Sequence, residues 1–169
     1  MRKPASILEV IRIVLWAGAL QLAGAGAQAE TIHGLIVGIS DGDTVKVLTA
    51  DRTEIKVRLA GIDAPEKRQA FGERSKANLS RMAFQKDVVA DCGKTDRYQR
   101  RVCVLYVGGI DLNLEQVRQG MAWHYKQYER EQTRKQREEY AVAEFNAKVQ
   151  RLGLWSDKNP SPPWEFRHQ

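Results

Sequence analysis

Apolar and polar residues alternate with a period of two through much of residues 32–107, the pattern of strands buried on one face. Residues 32–39 form an apolar run interrupted by Gly34 and Gly38, which predicts a first strand that bends at one of these glycines. In the next run Asp43, Val45 and Val47 share one parity, and Thr44, Lys46 and Leu48 the other. Residues 49–53 are a polar connection of hairpin length, and beyond them Ile55, Val57 and Leu59 face one way while Lys56 and Arg58 face the other. Pro65 cannot extend a strand ladder, and over residues 73–85 the spacing becomes helical, with Leu79, Met82 and Ala83 on one side. Two further β-type runs, 87–90 and 102–107, flank the polar stretch GKTDRYQR, and Gly108 and Gly109 end the second. Asn113 with Gln116 predicts a helix N-cap pair, followed by an apolar side of Leu114, Val117 and Met121. A last helix over 131–152 has two apolar sides, one of Tyr140, Ala143 and Ala147, the other of Phe145, Val149 and Leu152. The second side needs cover, and the rigid aromatic tail at 162–166 is the segment expected to fold over Phe145 and Val149.

Five short strands with a helix after the third predict an α+β, mainly β fold: a five-stranded OB-type barrel with three helices. Other small α+β folds have the same composition. No repeat or low-complexity segment divides the chain, so residues 30–169 are expected to be one domain with a Pro-rich aromatic tail. Residues 1–29 differ in kind. Arg2 and Lys3 precede an apolar run over 13–22 and an Ala27-Gln28-Ala29 end, the layout of a cleaved signal peptide. An uncleaved membrane anchor is the alternative, but the apolar run is short for a span. The chain is therefore expected to be secreted or periplasmic. Losing Arg2, Lys3, Arg12 and Glu9 removes two net positive charges and leaves +4 of the chain's +6, which suits a polyanionic partner without requiring one. Cys92 and Cys103 are the two cysteines of the chain. In an oxidising compartment they are expected to form a disulfide bracing the loop between them. The competing reading makes Cys103 a small buried apolar residue and Cys92 a turn residue.

The chemistry gathers between Asp41 and Glu66. Asp43, Asp63 and Glu66 are hard oxygen donors of the kind Ca²⁺ or Mg²⁺ takes, and Arg58 is a planar fork suited to phosphate oxygens. Singly, each has a structural reading: a turn-forming Asp63, a helix-start Glu66, an exposed Arg58. Asp41 reads as a side chain that caps its own loop. His124 reads as a core or rim residue, because zinc would want a different donor set.

Five blocks in fixed order carry a resemblance. Asp41-Gly42-Asp43-Thr44, Arg58-Leu59 with Asp63-Ala64-Pro65-Glu66, Thr95 to Arg100, Val117-Arg118-Gln119-Gly120, and Gly153-Leu154-Trp155 together resemble the staphylococcal nuclease family. The resemblance implies an OB barrel with a Ca²⁺-dependent phosphodiesterase site. It implies Ca²⁺ ligation by Asp43, Asp63 and the Ala64 main-chain carbonyl, where the family often has Thr at the last position. It implies catalytic roles for Glu66, which would orient or deprotonate the attacking water, and for Arg58 and Arg100, which would hold the scissile phosphate. Arg97, Tyr98 and Tyr128 are the implied nucleotide contacts. The expected activity is an exported endonuclease acting on DNA and RNA, preferring single strands, leaving 3′-phosphates and working as a monomer. A non-catalytic OB-type nucleic-acid-binding module is the alternative, separated from the enzyme by whether the acids and arginines are present. Three departures stand out: Gln99 occupies a position that is commonly Gly, the segment after Glu66 is short, and Lys126 replaces one of two aromatic residues.

Overall fold

The computed structural model describes residues 30–168, and the expected signal peptide lies outside the described residues. Strands β1 (Glu30–Ile39), β2 (Thr44–Leu48), β3 (Glu54–Leu59) and the short β4 (Ile62–Asp63) precede helix α1 (Gly72–Ala83). Strands β5 (Asp87–Thr95), β6 (Arg101–Val107) and the short β7 (Ile110–Asp111) lead into α2 (Leu112–Arg118). The short β8 (Trp123–His124), α3 (Arg134–Val149) and the single-turn α4 (Pro163–Phe166) follow.

The period-two pattern becomes a closed barrel. β1 pairs antiparallel with both β2 and β5, β2 pairs with β3, and β5 with β6. β6 then runs parallel to β3, placing Val57, Arg58 and Leu59 opposite Arg101, Val102 and Cys103. That last pairing closes β1, β2, β3, β5 and β6 on one another and leaves none of the five with a bare long edge. Inward positions are filled by Ile36, Val45, Val47, Val57, Leu59, Ala90 and Leu105, all buried. The register of β1 against β2 slips between Ile36 and Gly38, the bend that the glycines foreshadow. At Gly34 a Cβ would stand 2.5 Å from the Leu48 carbonyl oxygen, so only glycine allows that approach.

β5 runs five residues past Ala90, because Val88, Ala90 and Cys92 continue one buried parity through a polar sequence. Cys92 lies directly opposite Cys103, and the two form a disulfide across the β5–β6 hairpin. The N-cap of α2 is Asp111, whose carboxylate accepts from the Leu114 amide at 2.9 Å. Asn113 is therefore not the cap. It is buried, accepting from the Leu105 amide and donating to the Ala60 and Cys103 carbonyls, so it ties the β6 strand to the turn after β3. Helix α3 begins with a capping box between Thr133 and Gln136. It buries Tyr140, Ala143 and Ala147 as its alternation predicts, but Phe145 and Val149 remain 65% and 67% exposed. The tail does not cover them. Trp164 instead stacks on Tyr125 and meets Trp123 edge-on, so it gains two aromatic partners at once where the second face of α3 offers Phe145 alone.

Candidate active site

The Asp41–Thr44 loop is held from three sides. Asp41 accepts from the Asp43 amide at 3.0 Å, closing the turn on itself. Gly42 packs so tightly against α1 that a Cβ there would fall 1.9 Å from the Ser75 hydroxyl oxygen. The fully buried Gln116 of α2 donates to the Gly42 carbonyl at 2.6 Å and accepts from Asn78 of α1 at 2.7 Å. Asp43 is thereby turned inward, accepting from the Ala64 amide at 2.7 Å and from the Thr44 hydroxyl at 3.1 Å. Asp63 is set by the β4–β8 pairing, in which it lies opposite Trp123. β8 is held in turn by Glu144 of α3, which accepts from the His124 amide and pairs with Lys126 and Lys148. His124 itself is buried, with Nε2 against the Gln132 side-chain oxygen at 2.8 Å, and it is no part of the acidic cluster.

Arg58 binds the two aspartates together. One terminal nitrogen lies 3.1 Å from Asp43 and 2.8 Å from Asp63, while the other donates to the Leu59 and Ile62 carbonyls at 2.9 and 3.0 Å. Asp43 is 6% and Asp63 1% exposed. Burial pushes the Asp43 carboxyl up to about 7; Arg58 pulls it down, and the charges of Asp41 and Asp63 add to the rise. Four carboxylates, Asp41, Asp43, Asp63 and Glu66, thus share two guanidiniums, Arg58 and Arg167.

The second arginine arrives through the barrel closure. Because β3 and β6 are neighbours, the loop before β6 stands beside Arg58. Asp96 organises that loop, accepting from the Tyr98 and Arg100 amides and from Arg100 Nε at 2.7 Å. Burial alone would raise the Asp96 carboxyl, but the hydrogen bonds from Arg100 and Tyr98 outweigh it and hold the group below its usual range. Arg97 and Arg100 lie on the Tyr98 ring, 4.8 and 5.3 Å from its centre. Gln99 holds φ +61, the left-handed conformation for which glycine is the natural residue, so the loop keeps its shape despite the substitution.

One cleft of about 580 Å³ is lined by Asp41, Asp43, Arg58, Asp63, Ala64, Glu66, Arg97, Tyr98, Arg100 and Tyr128. All the proposed catalytic, ligand and nucleotide-contact residues meet there. Residues that the sequence did not single out also line it: Lys94, Glu131, Tyr125 and Arg167. Arg167 reaches back from the tail to Asp63 and Glu66, a contact that only its position after a rigid aromatic run could have suggested. Gln116 was visible only as a presumed cap residue. Among the described residues no three His, Cys, Asp or Glu side chains converge as a ready metal cage. The donors nevertheless suit a hard divalent cation: Asp43 and Asp63 offer carboxylate oxygens within reach of one arginine nitrogen, in a cluster where acids outnumber arginines.

A closed barrel of this topology, with acids and arginines gathered in one cleft, fits a hydrolase of the endonuclease class. Comparison with known proteins agrees. The family model described as "Staphylococcal nuclease homologue" matches residues 56–157. An "Uncharacterized endonuclease" of Haemophilus influenzae is 50% identical over 135 residues, covering 79% of this chain and 72% of its own length. A "Micrococcal nuclease" of Shigella flexneri is 40% identical over 171 residues, 96% of this chain and 94% of its own. An "Uncharacterized endonuclease" of Escherichia coli O157:H7 is 37% identical, over 82% of this chain and 86% of its own length. The chain belongs to the staphylococcal nuclease family.

Proposed function

We propose that the protein is an exported, monomeric endonuclease that cleaves DNA and RNA with Ca²⁺, prefers single strands and leaves 3′-phosphates. The observation that carries this reading is the convergence of Asp43, Asp63, Glu66, Arg58 and Arg100 in one cleft. Asp43, Asp63 and the Ala64 carbonyl would hold the cation, and a bound Ca²⁺ supplies Lewis-acid neutralisation of the phosphodiester charge. Glu66, half-exposed at the mouth of the acids, accepts the proton of the attacking water. Arg100 spends only its Nε and amide on Asp96, so its terminal nitrogens are available to a phosphate oxygen. Arg58 and Arg100 then stabilise the charge that grows as the water oxygen bonds to phosphorus and the 5′-oxygen leaves. The exposed Tyr98 and Tyr128 offer stacking faces to unpaired bases, which accounts for a preference for single strands. Contacts of this kind hold backbone and ring faces without reading base edges, so little sequence preference is expected.

The test is cleavage of single-stranded DNA and RNA by the purified protein, in Ca²⁺ and in chelator. Metal-dependent cleavage with 3′-phosphate ends supports the reading; binding without cleavage moves the protein to the class of non-catalytic OB-type binding modules. Glu66→Gln is expected to keep its stability within about 0.5 kcal/mol and to lose about 100-fold or more in kcat. N-terminal sequencing of the released protein tests export, with Glu30 as the expected first residue.

A further inference from the structure

The C-terminal tail enters the active site. The Ser161 carbonyl accepts from the Gln69 side chain at 2.6 Å, Pro163 is buried, and Trp164 stacks on Tyr125 with ring centres 5.2 Å apart and planes 12° apart. Three residues on, Arg167 donates to Asp63 Oδ2 at 2.8 Å, to Asp63 Oδ1 at 3.3 Å and to Glu66 Oε1 at 2.6 Å. Its guanidinium is 40% exposed and borders the same cleft as Arg58, Arg100 and Tyr98.

The tail has other fastenings than this arginine. The tail is fastened by Gln69, Pro163 and Trp164, none of which involves Arg167, and Asp63 already has Arg58 as its counter-ion. What Arg167 adds is a further planar fork in the cleft that holds Arg58 and Arg100. Its partners are the carboxylates that the nuclease reading assigns to the cation and to the water. Once those oxygens are engaged elsewhere the fork loses its hold on Asp63, yet the Trp164 stack keeps it in the cleft. The anion then left for it is a substrate phosphate. We infer that Arg167 is a third phosphate-binding arginine of the active site, held on Asp63 and Glu66 until metal and nucleic acid enter. This inference rests on the nuclease reading.

The experiment compares the full chain with its Arg167→Gln and Arg167→Lys variants. The first measurement is binding, in Ca²⁺, of a single-stranded oligonucleotide whose 5′-bridging oxygens are replaced by methylene, which keeps the charge and removes the leaving group. Arg167→Gln is expected to weaken binding about 10-fold, the loss of one charge-assisted contact, and to reduce the slope of log K against log salt by about 0.7, one phosphate on a single strand. Arg167→Lys should restore the slope but only part of the affinity, because a point charge lacks the fork. The second measurement is Ca²⁺ titration without nucleic acid, where Arg167→Gln should bind several-fold more tightly because the competing cation is gone. KM for the natural strand should rise more than kcat falls. Unchanged or tighter oligonucleotide binding with an unchanged salt slope would overturn the proposal and make Arg167 a plug or a plain counter-ion. A wild-type protein that binds the uncleavable strand but leaves its natural counterpart intact in Ca²⁺ refutes the nuclease reading instead, and the salt slope still tests Arg167.

Discussion

Arg58→Lys should damage the protein before any substrate is bound. The guanidinium serves four acceptors at once: the Leu59 and Ile62 carbonyls from one nitrogen, Asp43 and Asp63 from the other. An ammonium is a single atom and cannot stand where both nitrogens stand. Two carbonyl hydrogen bonds are lost, at about 1 kcal/mol each. Breaking a buried ion pair outright costs about 3–5 kcal/mol, but lysine keeps the charge near the acids, so only part of that is added. The expected total is about 2–4 kcal/mol at pH 7. With a urea dependence of about 2 kcal/mol per molar, the unfolding midpoint falls by about 1–2 M in chelator. Added Ca²⁺ is expected to recover part of the loss, since a ligand that binds only the folded state stabilises it and a divalent ion re-neutralises Asp43 and Asp63. A midpoint that moves by less than the equivalent of about 0.5 kcal/mol, or a variant that Ca²⁺ does not help, would show that Arg58 is not what holds the two aspartates together.

Gln116→Leu fills similar space but strips the Gly42 carbonyl and the Asn78 side-chain amide of their partner. Each buried orphan costs about 1–3 kcal/mol, so thermal unfolding should fall markedly and Ca²⁺ affinity should weaken as the Asp43 loop loosens. For Glu144, burial pushes the carboxyl up, but the hydrogen bonds and charges of Lys126 and Lys148 prevail and hold it below its ordinary value. A depressed folded pKa means stability present above the ordinary carboxylate range and lost as pH falls through the lowered value. Wild type minus Glu144→Gln, by urea unfolding, should therefore be largest near neutral pH and shrink in acid; a difference that grows in acid would refute the assignment. Gln99→Gly should make the Asp96–Arg100 loop less strained, by about 1 kcal/mol for a residue at φ +61, seen as slower amide exchange at the loop or a raised melting temperature.

The barrel was readable because parity is a local signal. Val45, Val47, Val57 and Leu59 announce an inward face wherever their strands pair, and the acids at strand ends announce a site. Four features were not readable, each for a physical reason. The extension of β5 to Thr95 rests on Cys92 continuing a buried parity inside polar residues, where hydropathy alone ends the strand at Ala90. Asn113 and Gln116 have the spacing of a cap pair but serve as buried cross-links, since α2 faces the barrel with both. The destination of the tail was a choice between two apolar surfaces, and nothing in its own residues tells Tyr125 from Phe145. Arg167 meets Asp63 across 104 positions of chain, and nothing local to either residue names the other.

The charges of the cleft also decide the order in which it can work. Arg58 is bound to Asp43 and Asp63, and Arg167 to Asp63 and Glu66. Among the described residues the Arg100 guanidinium hydrogen-bonds only through Nε, to an aspartate that stands outside the acid cluster. A phosphate arriving in this state finds Arg58 and Arg167 committed to the acids and only Arg97 and Arg100 outside those pairs, alongside Asp41, Asp43, Asp63 and Glu66, whose charges repel it. Affinity for nucleic acid should therefore be low in chelator and rise steeply with divalent cation, even where no cleavage can follow. Fluorescence binding of the methylene-bridged strand across a Ca²⁺ titration measures this directly. Binding and Ca²⁺ affinity should strengthen each other by the same factor, as linkage requires. Equal nucleic-acid affinity in chelator and in saturating Ca²⁺ would mean that the arginines are free already, contrary to the ion pairs seen here.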